Sequence, residues 1–229
     1  VVWDSDAARE YAECLAKAEV LLAESPEFEL ITALRWEPGV GCALWERHAL
    51  RLQRAAEYFG RPFDPDAARR ALEAAAAGFP PGPRRVRLRV SESGACAVED
   101  APAPTDAPAR IAVAARPMDV DTPFVFHKTT HRDFYDAARA SRPDADDVLL
   151  WNPRGEITET TIANAAFYRD GRWVTPPIAC GLLGGVMREE LLARGEWIEG
   201  PIPKSDVRSG ETIELANAVR GRWTARIVE

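Results

Sequence analysis

Lysine is nearly missing from this 229-residue chain: Lys17, Lys128 and Lys204 are the only three among its 29 lysines and arginines. Where arginine is the habitual cation, a lysine kept in an apolar setting points to a need for an amine that can lose its proton, which a guanidinium does not do. Histidine is equally scarce. His48, His127 and His131 have no cysteine or carboxylate neighbour at metal-ligand spacing, which argues against a metal site. The cysteines, Cys14, Cys42, Cys96 and Cys180, form no C-x-x-C pair, so neither a zinc site nor a disulfide framework is expected and each reads as a small buried hydrophobe. There is no dense Lys/Arg stripe, and the formal charge is -7, which speaks against nucleic acid or an anionic membrane and for a small-molecule partner. The longest apolar stretches, such as Ile178 to Met187, are too short and glycine-rich to span a bilayer. No charged-then-apolar leader opens the chain, so a cytoplasmic protein is expected.

What is present is the material of a globular α+β protein, with 46% hydrophobic residues. After Val1 to Asp6, the spacing of Tyr11, Leu15, Ala18, Leu21 and Leu22 predicts an amphipathic helix in residues 1–26, and the opening without Met suggests a piece of a longer chain. Phe28 to Trp36, the turn Glu37-Pro38-Gly39 and Gly41 to Leu44 predict a hairpin. Helices are expected over 46–59 and 64–77, then a second hairpin from Arg85 to Val90 and Ala95 to Glu99. These make a small domain, 27–99. The Ala/Pro run 100–109 reads as a semi-rigid connector. The larger domain, 110–229, carries strand candidates at Ile111 to Ala115, Asp147 to Trp151, Glu156 to Thr160 and Ala165 to Arg169. Its helix candidates are Arg132 to Ala140 and Gly185 to Arg194.

Lys128 follows the apolar, strand-like Phe124-Val125-Phe126, where desolvation or a nearby cation would lower its pKa and give a neutral amine; local context alone favours a surface lysine, and rarity counts the other way. Glu159 lies in an alternating segment after the turn Asn152 to Gly155, as a solvated strand acid or a buried partner for a protonated ring nitrogen. The glycines of Gly181 to Gly185 precede a helix whose free amides suit a phosphate, or simply cap it. Arg51 and Asn217 carry no signal singly.

In this order the segments resemble the fold-type IV pyridoxal-phosphate family, which includes branched-chain and D-amino-acid aminotransferases and aminodeoxychorismate lyases. The motifs are H-x-x-R-L at His48 to Leu52, a strand-borne Lys128, N-P-R-G-E-I-T-E-x-x-x-A-N at Asn152 to Asn164, L-x-G-V at Leu183 to Val186, and Asn217. The resemblance runs over nearly the whole chain from Phe28. It implies a two-domain fold-type IV α+β fold, pyridoxal 5'-phosphate as cofactor, Lys128 as its Schiff-base lysine and Glu159 as partner of the pyridine nitrogen. Arg51, the amides of Val186 and Met187, and Asn217 would hold the phosphate, with Leu183 against the ring.

Asp133 stands five positions after Lys128, where the aminotransferases carry tyrosine, and both His127 to Arg132 and Phe28 to Trp36 resemble lyase domains fused to aminodeoxychorismate synthase component I. Val1 to Asp6 with Glu10-Tyr11 resembles the closing segment of that component. The implied reaction converts 4-amino-4-deoxychorismate to 4-aminobenzoate and pyruvate in folate biosynthesis, with Lys128 as base and Thr32 as a hydroxyl that protonates the departing pyruvate unit. Arg35, Arg87 and Arg89 are candidate ligands for the anionic substrate, and a homodimer is implied. The competing readings are a D- or branched-chain amino-acid aminotransferase and a non-catalytic lyase-like domain.

Overall fold

The computed structural model describes residues 26–229; the helix predicted near the N-terminus and Cys14 lie outside them. Two β-sheets organise the chain. The first has the order β2-β1-β3-β4, antiparallel throughout, with β1 Leu30–Glu37, β2 Gly41–Cys42, β3 Arg84–Val90 and β4 Cys96–Pro102. Its register sets Leu30, Thr32 and Leu34 opposite Val90, Leu88 and Val86. Residues directly opposite share a face, and this face is dry, covered by the helices α1 (Trp45–Tyr58) and α2 (Pro65–Ala76) through Trp45, Leu52, Ala55 and Leu72. Helix α2 starts where the sequence says it should: Asp64 accepts from the amides of Asp66 and Ala67, and Pro65 fills the first helical position. The opposite face carries Ile31, Ala33 and Arg35 beside Arg89, Arg87 and Arg85. Strand β4 runs to Pro102, three residues into the Ala/Pro stretch, because the backbone pairing of Arg84 with Pro102 carries the hairpin on.

The second sheet has eight strands in the order β10-β9-β8-β11-β12-β5-β6-β7. Its members are β5 Arg110–Val113, β6 Asp147–Trp151, β7 Ile157–Thr160, β8 Asn164–Arg169, β9 Arg172–Thr175, β10 Trp197–Glu199, β11 Thr212–Asn217 and β12 Gly221–Val228. One face of the central strands is continuously apolar and dry: Ile111, Leu149, Ala165, Phe167, Ile213 and Leu215 are wholly buried in one cluster. Two helices lie against this sheet, α3 (Asp133–Ala140) and α4 (Val186–Ala193).

The lysine segment departs from expectation. Phe124 and Val125 belong to a 3-10 turn, Pro123–Val125, because Pro123 sits at its start and the Thr122 hydroxyl caps the Phe124 amide. Lys128 is therefore on a loop and not on a strand. That loop is bonded to the open edge of β1: the Lys128 carbonyl accepts from the Ile31 amide at 3.0 Å, and the Thr130 amide donates to the Glu29 carbonyl at 2.9 Å. The lysine is thus tied to the first sheet although the flanking chain belongs with the second.

Candidate active site

A cleft between the two sheets gathers Arg51, Lys128, Glu159, Asn164, Leu183 and Val186 along its walls. Each comes from a different local device. Glu159 is next to last in β7 and Asn164 opens β8, so the tight hairpin between them brings the pair to one spot. Glu159 is 4% exposed, and three donors meet its carboxyl: the Tyr135 hydroxyl at 2.6 Å, the Leu183 amide at 3.1 Å and the Asn164 Nδ2 at 3.2 Å. Burial raises its pKa to about 7, against the opposing pull of those donors and of Lys128 and Arg132. Tyr135 is held neutral, its pKa driven well above the usual value by burial and then by the Glu159 charge.

Lys128 is half-buried, and its amine falls to about 7, chiefly by burial, then by the charges of Arg51 and Arg132, with Glu159 opposing. A large share of this lysine is therefore the neutral nucleophile at neutral pH. The scarcity of lysine had pointed to this residue.

At the cleft's other end, helix α4 begins with Gly185 as cap and no side chain bonding its first amides. The amides of Val186 and Met187 are among those left without an intrahelical partner, which suits an anion. A Cβ on Gly185 would fall 1.9 Å from the Asn164 Oδ1, so glycine is required for this close approach. The Met187 side chain does not reach the cleft; it packs with Trp173 and Leu192 against Leu191 and Trp197. Arg51 approaches from α1, its guanidinium donating from Nη2 to the Thr32 hydroxyl at 2.8 Å. Its Nε is buried without any partner, and burial lowers its pKa to about 10.

Several expected residues stand elsewhere. Thr32 is fully buried on the core face of β1, in line with Leu30 and Leu34, and its hydroxyl bonds the His48 Nδ1 at 2.6 Å besides Arg51; strand alternation turns it away from the cleft wall that Ala33 lines. Asn217 does not join the helix-terminus wall. Its Oδ1 accepts from the Val219 and Arg220 amides and its Nδ2 donates to the Ile162 carbonyl, clamping the turn after β11 and leaving one Nδ2 hydrogen free where the residue lines the cavity beside Lys128. Arg35 is paired with Glu37 at 2.5 Å, and Arg89 is held between Glu29 and Glu99, so two of the three expected substrate arginines are already neutralised. Of the cysteines, Cys180 is buried, whereas Cys42 and Cys96 are only partly so.

Arg87 does line a cleft, a cavity of about 240 Å³ adjoining Lys128 whose cationic walls are Arg85, Arg87, Arg132 and Arg220, with no carboxylate among its lining residues. Arg85, Arg132 and Arg220 were not singled out in the sequence. Alternation places Arg85 with Arg87, and was a signal for the first; Arg220 is brought there by the Asn217 turn, which no local pattern announces. Tyr135 was hidden too, because the tyrosine sought five residues after the lysine comes seven residues after it, in the first turn of α3. Among the described residues no group of side chains is arranged to hold a metal ion, and no helix is long and apolar enough to cross a membrane.

Comparison with known proteins agrees with this architecture. The family model for amino-transferase class IV matches residues 29–228. A Schizosaccharomyces pombe protein described as "putative aminodeoxychorismate lyase" is 37% identical over 146 residues, which is 59% of this chain and 63% of the relative, so the aligned part spans less than two thirds of that protein's length. The crystal structure of a "putative amino-acid aminotransferase" from Mesorhizobium loti superimposes with a TM-score of 0.81 at 35% identity, covering 88% of this chain and all of that one. A hypothetical aminotransferase from Mycobacterium tuberculosis in its pyridoxal-phosphate-bound form has the same fold, with a TM-score of 0.72 at 22% identity over 88% of this chain and 81% of that one. The fold is that of the fold-type IV pyridoxal-phosphate enzymes, as the sequence implied. With its match running through both sheets, this chain belongs to the amino-transferase class IV family.

Proposed function

We propose that the cleft holds pyridoxal 5'-phosphate at Lys128 and uses it to eliminate pyruvate from 4-amino-4-deoxychorismate, leaving 4-aminobenzoate. The observation that carries the choice of substrate is the arginine-walled cavity beside Lys128. A molecule with two carboxylates finds Arg85, Arg87, Arg132 and Arg220 there, and no carboxylate lines the cavity to repel it. The fission-yeast relative's description supports the same reading.

The residues present fit the cofactor. A buried Arg51 Nε without a partner and the uncapped amides of Val186 and Met187 would take its phosphate, and the close approach at Gly185 leaves that wall bare. Leu183 would lie against the ring and Glu159 would hold the proton of the pyridine nitrogen. When bound, the cofactor supplies an aldehyde carbon for amines and a protonated ring that takes up electron density.

Lys128, with its amine near neutrality, serves as tether and then as the base that removes the substrate's ring proton from the amine-bearing carbon. The Glu159 carboxyl is held in place by Tyr135, Leu183 and Asn164 rather than by solvent. The arginine cleft orients the carboxylates, so that the carbon–oxygen bond to the pyruvyl unit breaks as the ring becomes aromatic.

The reading extends to a homodimer and to a cytoplasmic place in folate biosynthesis. It extends also to a parent chain with an aminodeoxychorismate synthase component upstream; the segment resembling that component lies outside the described residues. The test is direct: supplied with chorismate, ammonia and a synthase, the protein should release equal amounts of pyruvate and 4-aminobenzoate. Rapid amino transfer from leucine or D-alanine without pyruvate release would reverse the choice in favour of the aminotransferase reading, which the Mesorhizobium loti description supports. Absence of a cofactor absorption band would leave a non-catalytic domain.

A further inference from the structure

Thr32 and His48 are wholly buried polar residues that the proposed chemistry does not use. They are joined to Arg51 in one line: Arg51 Nη2 lies 2.8 Å from the Thr32 Oγ1, which lies 2.6 Å from the His48 Nδ1. The proton positions follow from what each group is able to do. A guanidinium only donates, so Thr32 accepts from Arg51. Thr32 has no solvent contact and no other acceptor, and its own proton must therefore go to His48 Nδ1. That fixes His48 as the neutral tautomer with its proton on Nε2, an atom buried without a partner. Burial and the nearby charges of Arg51 and Lys128 also hold this imidazole neutral.

The outcome is a hydroxyl whose dipole is turned by His48 so that its oxygen faces Arg51. We infer that His48 and Thr32 are positioning residues for Arg51, fixing its guanidinium so that the remaining donors meet the anionic group of a phosphorylated ligand in the cleft. The placement serves this well. His48 and Arg51 are three residues apart on α1 and so share a face, and Thr32 is the one polar residue in the row Leu30, Thr32, Leu34 that this helix covers. An apolar residue there would pack equally well, and the unpaired Nε2 of His48 is a cost that a purely structural core would shed. The role differs from the one the sequence resemblance implied for Thr32, since a hydroxyl engaged on both sides beneath Arg51 is not free to protonate a leaving group.

The inference rests on the proposal that Arg51 meets the cofactor phosphate, and the experiment separates the two. Equilibrium affinities of the apo protein for pyridoxal 5'-phosphate and for pyridoxal are measured by absorbance, alongside apo-protein melting. Thr32→Val should weaken the phosphate ester about tenfold while leaving pyridoxal unchanged, because only the phosphate depends on Arg51. Thr32→Ser should restore the native ratio. His48→Leu should mimic Thr32→Val, and His48→Asn, which offers an acceptor near the place of Nδ1, should recover most of the loss; this second pair decides the matter should Thr32→Val not fold. Equal weakening of both compounds, or an unchanged ratio in Thr32→Val with pyruvate release abolished, would overturn the inference and return Thr32 to a substrate-facing role. A wild-type protein that binds neither compound overturns the cofactor reading and this inference with it.

Discussion

The two walls of the cleft are built on opposite principles. The wall from the large sheet presents one carboxyl, Glu159, met by a phenol, an amide side chain and a backbone N–H. The wall from the small sheet presents a surplus of cation: Arg51, on the helix covering that sheet, keeps a buried donor unpaired, and Arg85 and Arg87 meet Arg220, from the turn after β11, around a cavity with no acid in its lining. A buried polar group left unsatisfied is expensive, and the contrast fits the proposal that the arginine side takes an anionic ligand. On that proposal the acid wall serves reactivity and the arginine wall capture.

The largest effect is expected at Lys128, which stands between the two. Lys128→Ala should abolish the covalent link to cofactor and lower turnover by on the order of 10³-fold or more, with the fold retained. Borohydride reduction of the native protein followed by peptide mapping should label Lys128, and a label on Lys17 or Lys204 would contradict the assignment. Next, the walls should separate kinetically. Glu159→Gln should lower kcat by about 10²-fold with little change in KM, whereas Arg220→Ala or Arg85→Ala should raise KM about tenfold with a small change in kcat. Steady-state kinetics that gave both variants the same signature would erase the distinction.

The smallest effect is in the pH dependence of apo-protein stability, where the two buried groups pull oppositely. Glu159, raised from 4.5 to about 7, is protonated in the folded state where the unfolded chain has lost its proton, so its contribution falls as pH rises through that window. Lys128, lowered from 10.5 to about 7, is neutral in the folded state where the unfolded chain is still charged, so its contribution rises between those values. Together they should put a shallow minimum near pH 7 in a melting profile. Lys128→Met should remove the alkaline arm and Glu159→Gln the acidic one.

How much of this was legible beforehand depended on range. Hairpin 84–102, helix α2 with its Asp64 cap and strands β6 and β8 follow from local pattern and came out within a few residues. Lys128 and Glu159 stood out through rarity and order in the chain, since a residue type used three times is conspicuous wherever it falls. The strands β9 to β12 were missed: short, polar-edged segments such as Arg172–Thr175 gain their strand character from neighbours far away in sequence. Of the arginines that line the cavity beside Lys128, Arg87 was named in advance and Arg85, Arg132 and Arg220 were hidden. Nothing local distinguishes Arg87 from Arg89; both lie within reach of Glu99, and Glu29, brought alongside by tertiary structure, binds Arg89 while Arg87 lines the cavity.

Strand β12 has a bearing on how the molecule is assembled over time. It is the latest strand in the sequence, yet it lies inside the large sheet, antiparallel to β11 on one side and parallel to β5 on the other. In the strand order it alone joins the group β5-β6-β7 to the group β8 to β11. A chain emerging from the ribosome can complete the small sheet early, since all of its pairings are made by residue 102. The large sheet has no such freedom: its two halves wait, with apolar edges open, until Gly221–Val228 arrives to close the gap. The window of exposure to wrong partners therefore belongs to one half of this protein, and it closes only with its final strand.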